Sequence, residues 1–176
     1  MLIDNWSFVG LHLTTDRLEL RVPTDDELTE VAVVAAGGIH ELDEKPYLMP
    51  WTDLPPPERI VHVMKQHWSR RGDWSADAWA LELAVFHEQR PIGMVALRGR
   101  DFPILREVKT ESWLGLEHHG KGLGTEARTA LLHPLYTDSP RDNPVAGKLR
   151  PARQNPCTPE PPPPTFGGGG SGVSAS

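Results

Sequence analysis

Residues 113–125 have the sequence WLGLEHHGKGLGT, and no other stretch says more about the fold and function of this chain. The apolar start predicts the end of a strand, and Gly120, Gly122 and Gly124 predict a turn that leads into a helix. Glycines leave backbone N–H groups uncovered, and a helix start adds unpaired N–H donors and the positive end of its dipole. We therefore predict that this turn binds a phosphate or pyrophosphate group.

Two familiar phosphate-binding motifs fit this turn poorly. A P-loop requires Gly-Lys-Ser/Thr, whereas Lys121 is followed by Gly122. A dinucleotide-binding fingerprint requires a third glycine where Thr125 stands. The glycines could instead serve only to tighten the turn, and this alternative stays open. We favour the phosphate site because strand, turn and helix follow one another in the required order.

Regular patterns around this turn predict the order of strands and helices. Residues 24–27 (TDDE) form a capping box, apolar residues at helical spacing follow, and Gly37 and Gly38 end that helix. The other predicted elements are strand 17–22, helix 57–72, strands 79–86, 92–97 and 108–116, and helix 122–133. This order predicts an α/β or α+β class, with a mixed sheet flanked by helices.

The turn is similar to the acyl-CoA-binding motif of the GNAT acetyltransferase superfamily, Gln/Arg-x-x-Gly-x-Gly/Ala. Gly122 and Gly124 match its two glycines, whereas His119 stands where Gln or Arg is usual. Residues 15–21 (TDRLELR) resemble the opening strand of the family, and residues 90–95 (RPIGMV) resemble its third strand. The likeness is strongest to the branch that acetylates the N-termini of ribosomal proteins.

The resemblance implies an enzyme that moves an acetyl group from acetyl-CoA to a primary amine, on a protein N-terminus or a small molecule. Backbone groups of the strand would pair with the pantetheine arm, and the turn would hold the pyrophosphate. The residues that it assigns to acetyl-CoA binding are Leu114, Gly115, Leu116, His119, Gly120, Lys121, Gly122, Leu123, Gly124 and Thr125.

The reaction requires a base, and acids on the central strands are the candidates. We predict Glu111 and Glu107 for this role, with solvated acids at a strand edge as the alternative. Residues 38–53 resemble the acceptor-lining segment of this branch. The acceptor-binding residues that this likeness implies are His40, Tyr47 and Trp51. A loop that Trp51 merely pins to the core is the alternative.

Composition limits the partners. A formal net charge of −6 argues against nucleic acid, since phosphate binding along a strand requires a basic face. No apolar run approaches the ~18 residues that cross a bilayer, so we expect no membrane partner. The single cysteine, Cys157, allows no internal disulfide and fits a cytoplasmic protein. His118 and His119 are adjacent on a turn, which is poor geometry for one metal ion, so we expect no metal.

The composition changes at Pro134. Ten of the eighteen prolines lie in residues 134–176, and four consecutive glycines occupy 167–170. We predict a GNAT-like domain over residues 11–133 and a disordered tail over 134–176. Family domains continue with further strands and a helix, so we expect a chain truncated or frameshifted near residue 134. The alternative function is then an inactive remnant that at most binds CoA, and the open sheet edge could pair two copies.

Overall fold

The computed structural model describes residue 4 and residues 6–41, 50–105 and 107–136 of the 176-residue chain. Five strands are present there: β1 His12–Thr14, β2 Leu18–Arg21, β3 Ala78–His87, β4 Arg90–Arg100 and β5 Val108–Leu114. The three longer helices are α1 Asp25–Gly37, α2 Pro56–Gly72 and α3 Leu123–Tyr136. Short helical turns occupy Ser7–Gly10, Trp51–Asp53, Phe102–Leu105 and Leu116–His118. The tail was predicted to start at residue 134, whereas α3 continues to Tyr136, so its predicted start is wrong by three residues. Residues 137–176 and the predicted acceptor residue Tyr47 lie outside the described residues.

The strands form one sheet in the order β1-β2-β3-β4-β5, and each neighbouring pair is antiparallel. The predicted class, a sheet flanked by helices in the GNAT arrangement, is confirmed. Within the described residues no strand pair is parallel, so the mixed character expected from the sequence is not seen there. β1 was not predicted, because three residues are too few to show an alternating pattern.

Helix α1 forms where its capping box predicts. The Thr24 hydroxyl accepts a hydrogen bond from the Glu27 N–H at 3.3 Å, and the Glu27 carboxylate accepts one from the Thr24 N–H at 2.9 Å. The buried side of the helix consists of Leu28, Val31, Ala32 and Ala35, as the spacing predicts. Val31, Ala32 and Ala35 pack on the sheet face that α2 also covers.

The opposite face of the sheet is covered by α3. Leu123, Ala127 and Leu131 of that helix lie in one buried cluster with Leu114 and the apolar residues of the inner strands. Leu114 therefore points toward α3, whereas Trp113 packs on the α1 and α2 side. The end of β5 is thus the place where both layers of helices approach the sheet.

β3 and β4 form a hairpin, in which His87 pairs with Arg90. Its two loop residues, Glu88 and Gln89, have φ angles of 49° and 66°. Positive φ at both positions is the geometry of a type I′ turn, whose twist matches that of the flanking strands.

Within the described residues, none of the helices combines the length and the apolar character that crossing a lipid bilayer would require.

Glu27 also joins α1 to the sheet, and this ion pair should make stability depend on pH. Nη1 and Nη2 of Arg21 each donate to its carboxylate at 2.6 Å, which lowers the pKa of Glu27 to about 2. Because the folded-state pKa lies below the ordinary value, this stabilisation is present above about pH 4.5 and is lost as the pH falls toward 2. We expect Glu27→Gln to lower the free energy of unfolding at pH 7 by ~1–3 kcal/mol.

Urea unfolding of wild type and Glu27→Gln at several pH values between 3 and 7 checks this. The difference between the two proteins should shrink as the pH falls. Asp26→Asn, in the same helical turn but exposed, is the matched control and should change stability little. A difference that stays constant with pH would contradict the ion-pair explanation.

Candidate functional site

A groove opens where β5 ends and the glycine turn begins. Its volume is about 500 Å3. The residues that line it come from the segment after α1, the end of β5 and the turn, and they include Ile39, His40, Trp113, Leu114, Gly122 and Thr125. We call it the strand-end groove. It brings together most of the predicted acetyl-CoA residues and the predicted acceptor residue His40.

Two consecutive residues fix the end of β5. The Gly115 N–H donates to the Ile92 carbonyl of β4 at 2.8 Å, and the Leu116 N–H donates to the Gly38 carbonyl after α1 at 3.0 Å. The predicted backbone contacts of Gly115 and Leu116 with pantetheine therefore compete with bonds inside the protein.

The alternation of an antiparallel pair then shows which backbone groups of β5 remain at its open side. Because the backbone N–H of Gly115 bonds to β4, the backbone N–H and C=O groups of Trp113 also face β4. The backbone groups of Ser112 and Leu114 face away from β4. The Leu114 carbonyl accepts a hydrogen bond from the His119 ring, with 3.0 Å between Nε2 and the oxygen. The N–H of Leu114 points to the same open side, where an extended ligand could pair with the strand.

The turn itself adopts a conformation that favours glycine. Gly120 and Gly122 have φ angles of 72° and 75°, in the left-handed region that L side chains rarely adopt. No atom lies within 4 Å of the position that a Cβ of Gly120 would take, so the space above the turn is open. Glycine is therefore required here for the backbone path, and it also keeps the N–H groups accessible.

Helix α3 starts directly after Gly122. Its first helical hydrogen bond runs from the Glu126 N–H to the Gly122 carbonyl at 3.0 Å. The N–H groups of Leu123, Gly124 and Thr125 precede that bond and have no partner within the helix. With the positive end of the helix dipole, these three donors form what we call the amide cradle.

An arginine that directly precedes β2 holds the turn in place. The Arg17 guanidinium donates to the Glu126 carboxylate through Nε at 2.8 Å and through Nη2, and its Nη1 donates to the Lys121 carbonyl at 3.2 Å. The Thr15 hydroxyl donates to the same carboxylate. The Thr15 bond, followed by Arg17, holds the pKa of Glu126 below its usual value. We call Thr15, Arg17 and Glu126 the clamp.

The clamp has a consequence for the direction of one amide. In a trans peptide the C=O and the following N–H point to opposite sides. Because Arg17 holds the Lys121 carbonyl on its own side, the Gly122 N–H points away from Arg17. The clamp thus fixes the orientation of the peptide that leads into the amide cradle.

Aromatic rings pack beside the end of β5 on the sheet face that α1 and α2 cover. Trp51 stacks on His62 with 5.4 Å between ring centroids and 12° between planes, and its ring lies 6.2 Å from that of Trp113. The predicted acceptor residue Trp51 is therefore anchored to the core face, close to the end of β5. Burial, and then the charge of Arg70, lowers the pKa of His62, so this ring is neutral at pH 7.

The two predicted bases occupy different places. Arg98 and Arg70 donate to the Glu111 carboxylate at 2.7 and 2.9 Å. Burial would raise the pKa of Glu111, but these two arginines outweigh it and hold the pKa below its usual value. Glu111 is therefore a poor proton acceptor at neutral pH. Glu107 is exposed and precedes β5, which places it roughly 20 Å along the strand from Leu114.

Sequence reasoning missed the clamp. Arg17 and Glu126 are 109 positions apart, and no local pattern connects them. Their contact could have been predicted only if the packing of the β1–β2 hairpin against the start of α3 had been known. Within the described residues, no group of three or more His, Cys, Asp or Glu side chains is arranged to hold a metal ion.

Residues 17–147 match the family model of the acetyltransferase (GNAT) domain. The match spans more than half of the chain and includes Arg17 and Glu126 of the clamp, the end of β5 and the amide cradle.

Solved acetyltransferase structures resemble this chain. A candidate ribosomal-protein-serine acetyltransferase from Vibrio cholerae is 26% identical, covers 70% of this chain and 66% of its own, and gives a TM-score of 0.47. RimL, a ribosomal L7/L12 alpha-N-protein acetyltransferase in complex with CoA, is 16% identical with the same coverage and a TM-score of 0.53. The acetyl transferase of Salmonella typhimurium that modifies the N-terminal serine of 50S ribosomal subunit protein L7/L12 is 16% identical. The match covers 80% of this chain and 84% of that protein, with a TM-score of 0.50. The chain spans slightly less than two thirds of the first two.

The clamp gives a test of the peptide that leads into the amide cradle, whose Gly122 N–H would lie beside a bound pyrophosphate. Arg17→Gln removes the bond to the Lys121 carbonyl, so the Gly122 N–H loses its fixed direction. We expect the Kd for CoA to rise about fivefold, the size of one hydrogen bond of roughly 1 kcal/mol. The Kd for pantetheine, which lacks the pyrophosphate, should stay within twofold.

Calorimetric titration of each ligand into wild type, Arg17→Gln and Arg17→Lys measures these constants. Arg17→Lys keeps the charge and should fall between the other two. Arg100→Gln, an exposed arginine at the far end of β4, is the matched control. Equal weakening of CoA and pantetheine would mean that the variant loosens the fold and not the cradle.

Proposed function

The chain belongs to the GNAT acetyltransferase family, and from that premise we propose that it transfers an acetyl group from acetyl-CoA to a primary amine. The amine attacks the thioester carbon directly, without an acetylated protein residue. The strand-end groove carries this proposal, because an open strand side and an amide cradle meet in it.

Each part of the groove has a role in the proposal. The amide cradle would hold the pyrophosphate, with Lys121 adding a positive charge at the surface. The open side of β5 at Ser112 and Leu114 would pair with the amide groups of pantetheine, as an added strand does. The Leu114 N–H would then be available to the thioester carbonyl and to the oxyanion that forms during attack.

The acceptor would approach from the α1 and α2 side, between His40 and the rings of Trp51 and Trp113. We propose a protein N-terminus as the acceptor class and a small amine as the second choice. In support, structures of the same fold are named for the acetylation of ribosomal-protein N-termini, and one of them was solved with CoA. The single cysteine, Cys157, agrees with a cytoplasmic site of action.

Association with a second copy is the competing use of the same edge. A strand from another copy would pair with Ser112 and Leu114 and would exclude pantetheine from the groove. If the chain assembles in this way, acetyl-CoA should shift it toward the monomer, which light scattering would detect. An inactive remnant that binds CoA without turnover is the other outcome to be tested.

Binding of CoA to the amide cradle is the first measurement. CoA should bind more tightly than pantetheine, since only CoA carries the pyrophosphate. Gly122→Val should remove that difference, because the new side chain is strained at a φ of 75° and covers neighbouring N–H groups.

Calorimetry with both ligands measures the difference, and Gly72→Val is the matched control. Gly72 ends α2, and a Cβ there would meet no atom within 4 Å. Thiol release from acetyl-CoA, with an N-terminal serine peptide and with spermidine as acceptors, then measures turnover. Equal affinity of wild type for CoA and pantetheine would refute the cradle, and CoA binding without turnover would favour the inactive alternative.

A further inference from the structure

A second groove opens near the start of β5, over the sheet face toward α2. Its volume is about 460 Å3, and it lies between the end of α2 and the strands β3, β4 and β5. The cationic side chains in its lining are Arg70, Arg98, Arg100 and Lys109. We call it the basic groove. It is separate from the strand-end groove, because the two have no lining residue in common.

The sheet places two of these cations directly opposite each other. Arg98 of β4 pairs in register with Lys109 of β5, so their Cβ atoms lie on one face, roughly 5 Å apart. Arg100 lies on the same face, because it is two residues further along β4. Like charges in directly opposite positions destabilise a pair of strands. The floor of the basic groove therefore carries an unfavourable arrangement of charge.

Two of the four cations are already paired with carboxylates. Glu82 and Glu111 both accept hydrogen bonds from Arg70. Glu111 also accepts one from Arg98 at 2.7 Å. These two acids and two arginines largely cancel one another, so they leave little net charge for a ligand.

The other two cations remain available. The exposed side chains of Lys109 and Arg100 form no ion pair with a described residue. The acids in the lining are Asp73, whose carboxylate accepts a hydrogen bond from the Ser69 hydroxyl at 2.8 Å, and Glu107, which is exposed. Neither of these acids lies in ion-pair contact with Lys109 or Arg100, so the basic groove offers two cations to an anionic ligand.

The basic groove lies in line with the entry that we propose for the acceptor. Trp113, Glu111 and Lys109 alternate along β5 and share the face toward α2. Trp113 flanks the place where the acceptor amine would enter. Lys109 is four residues away, which corresponds to about 13 Å along the strand. An extended peptide has a similar rise per residue, so side chains about four positions after its N-terminus would reach Lys109 and then Arg100.

We propose that the basic groove binds acidic side chains that follow the N-terminal residue of a protein acceptor, an inference that rests on the proposed acetyl transfer. A carboxylate between Lys109 and Arg100 pairs with both and relieves the repulsion between Lys109 and Arg98. Charge complementarity of this kind selects partners and speeds their association more than it adds affinity. The groove thus favours acidic protein N-termini over neutral ones and over small amines, which do not extend to it.

Three acceptor peptides test the selectivity. All begin with Ser-Ala-Ala, and positions 4–6 hold three glutamates, three glutamines or three lysines. With saturating acetyl-CoA at low ionic strength, we expect kcat/KM to be about tenfold higher for the glutamate peptide than for the glutamine peptide, since exposed ion pairs are individually weak. The lysine peptide should be the poorest. The difference should shrink at about 0.5 M NaCl, because salt screens exposed charges.

The variant Lys109→Glu tests the residue that carries the argument. The new glutamate lies opposite Arg98, which is a favourable cross-strand pair, so the fold should be kept and the urea midpoint should rise. The preference for the glutamate peptide should nevertheless disappear. Lys109→Glu combined with Arg100→Glu should reverse it and favour the lysine peptide. A gain in stability together with a reversed selectivity is not expected from a purely structural role.

Lys65→Gln is the matched control, because it removes an exposed lysine of α2 that lines neither groove. It should keep the wild-type preference among the peptides. All these variants should bind CoA with a Kd within about twofold of wild type, since the amide cradle is unchanged.

Peptides with an acetylated N-terminus measure the basic groove without turnover. They cannot react, and their Kd in the presence of CoA follows from fluorescence anisotropy. The acetylated glutamate peptide should bind more tightly than the acetylated glutamine peptide. Lys109→Glu should remove this difference, and Lys65→Gln should retain it.

The outcomes separate the basic groove from the acetyl transfer. If wild type acetylates the glutamate and glutamine peptides equally well, the role of the groove is overturned and the acetyl transfer stands. If no peptide is acetylated but the acetylated glutamate peptide binds preferentially, the acetyl transfer fails and the groove keeps only its preference for acidic peptides. If neither measurement shows a preference for acid, the groove has no such role. An oligonucleotide that displaces the glutamate peptide at lower concentration would assign the groove to nucleic acid and would also overturn the proposal.

Discussion

The site depends on the two backbone hydrogen bonds that Gly115 and Leu116 donate at the end of β5. Successive N–H groups of an extended chain point in opposite directions, so Gly115 bonds to β4 while Leu116 bonds to the carbonyl of Gly38. This requires the end of α1 to approach the strand closely. A Cβ on Gly115 would lie 2.8 Å from a methyl group of Val34, so any side chain there would push the helix away. The position of His40, the start of the turn and the open side of β5 all follow from this one approach.

The face of the sheet toward α2 is stabilised by charges as well as by apolar contacts. Glu82 of β3 and Glu111 of β5 lie opposite the same residue of β4, Ala96, and both accept hydrogen bonds from Arg70. Glu82 is 7% exposed and also contacts His67 Nδ1 at 3.0 Å. Removing one partner would leave a buried charge unpaired, which typically costs about 3–5 kcal/mol. This network fixes α2 to the sheet, and it engages the Glu111 carboxylate, which Arg98 also contacts.

The sequence was informative where the signal is local. The capping box and the apolar face of α1 use contacts within a few residues, and the glycine turn needs only the backbone preference of glycine. The helical spacing of Ile60, Val63, Met64 and His67 would place Trp68 on the same side of α2, and here the spacing is a wrong guide. Trp68 is 45% exposed, and its indole N–H bonds to Asp25. Spacing predicts the direction of a buried helix face but not how many residues wide that face is.

Contacts between distant segments could not be predicted in this way. The arginines that bind Glu111 come from α2 and β4, and the arginine that binds Glu126 comes from the β1–β2 hairpin. The sequence shows which charged residues are present, but only the folded chain shows which of them form ion pairs.

The clamp also bears on how a chain with a net charge of −6 would bind the anion that we propose for the turn. Arg17 is paired with Glu126, so its charge is largely cancelled at the turn. What remains is the set of N–H dipoles at the start of α3 and the exposed Lys121. Such dipoles act over short distances and only in the right direction, whereas net charge acts over roughly a Debye length of 8 Å. The pyrophosphate site that we propose would therefore depend on the geometry of the backbone, and the acid at position 126 would serve that geometry because it holds the arginine that orients the turn.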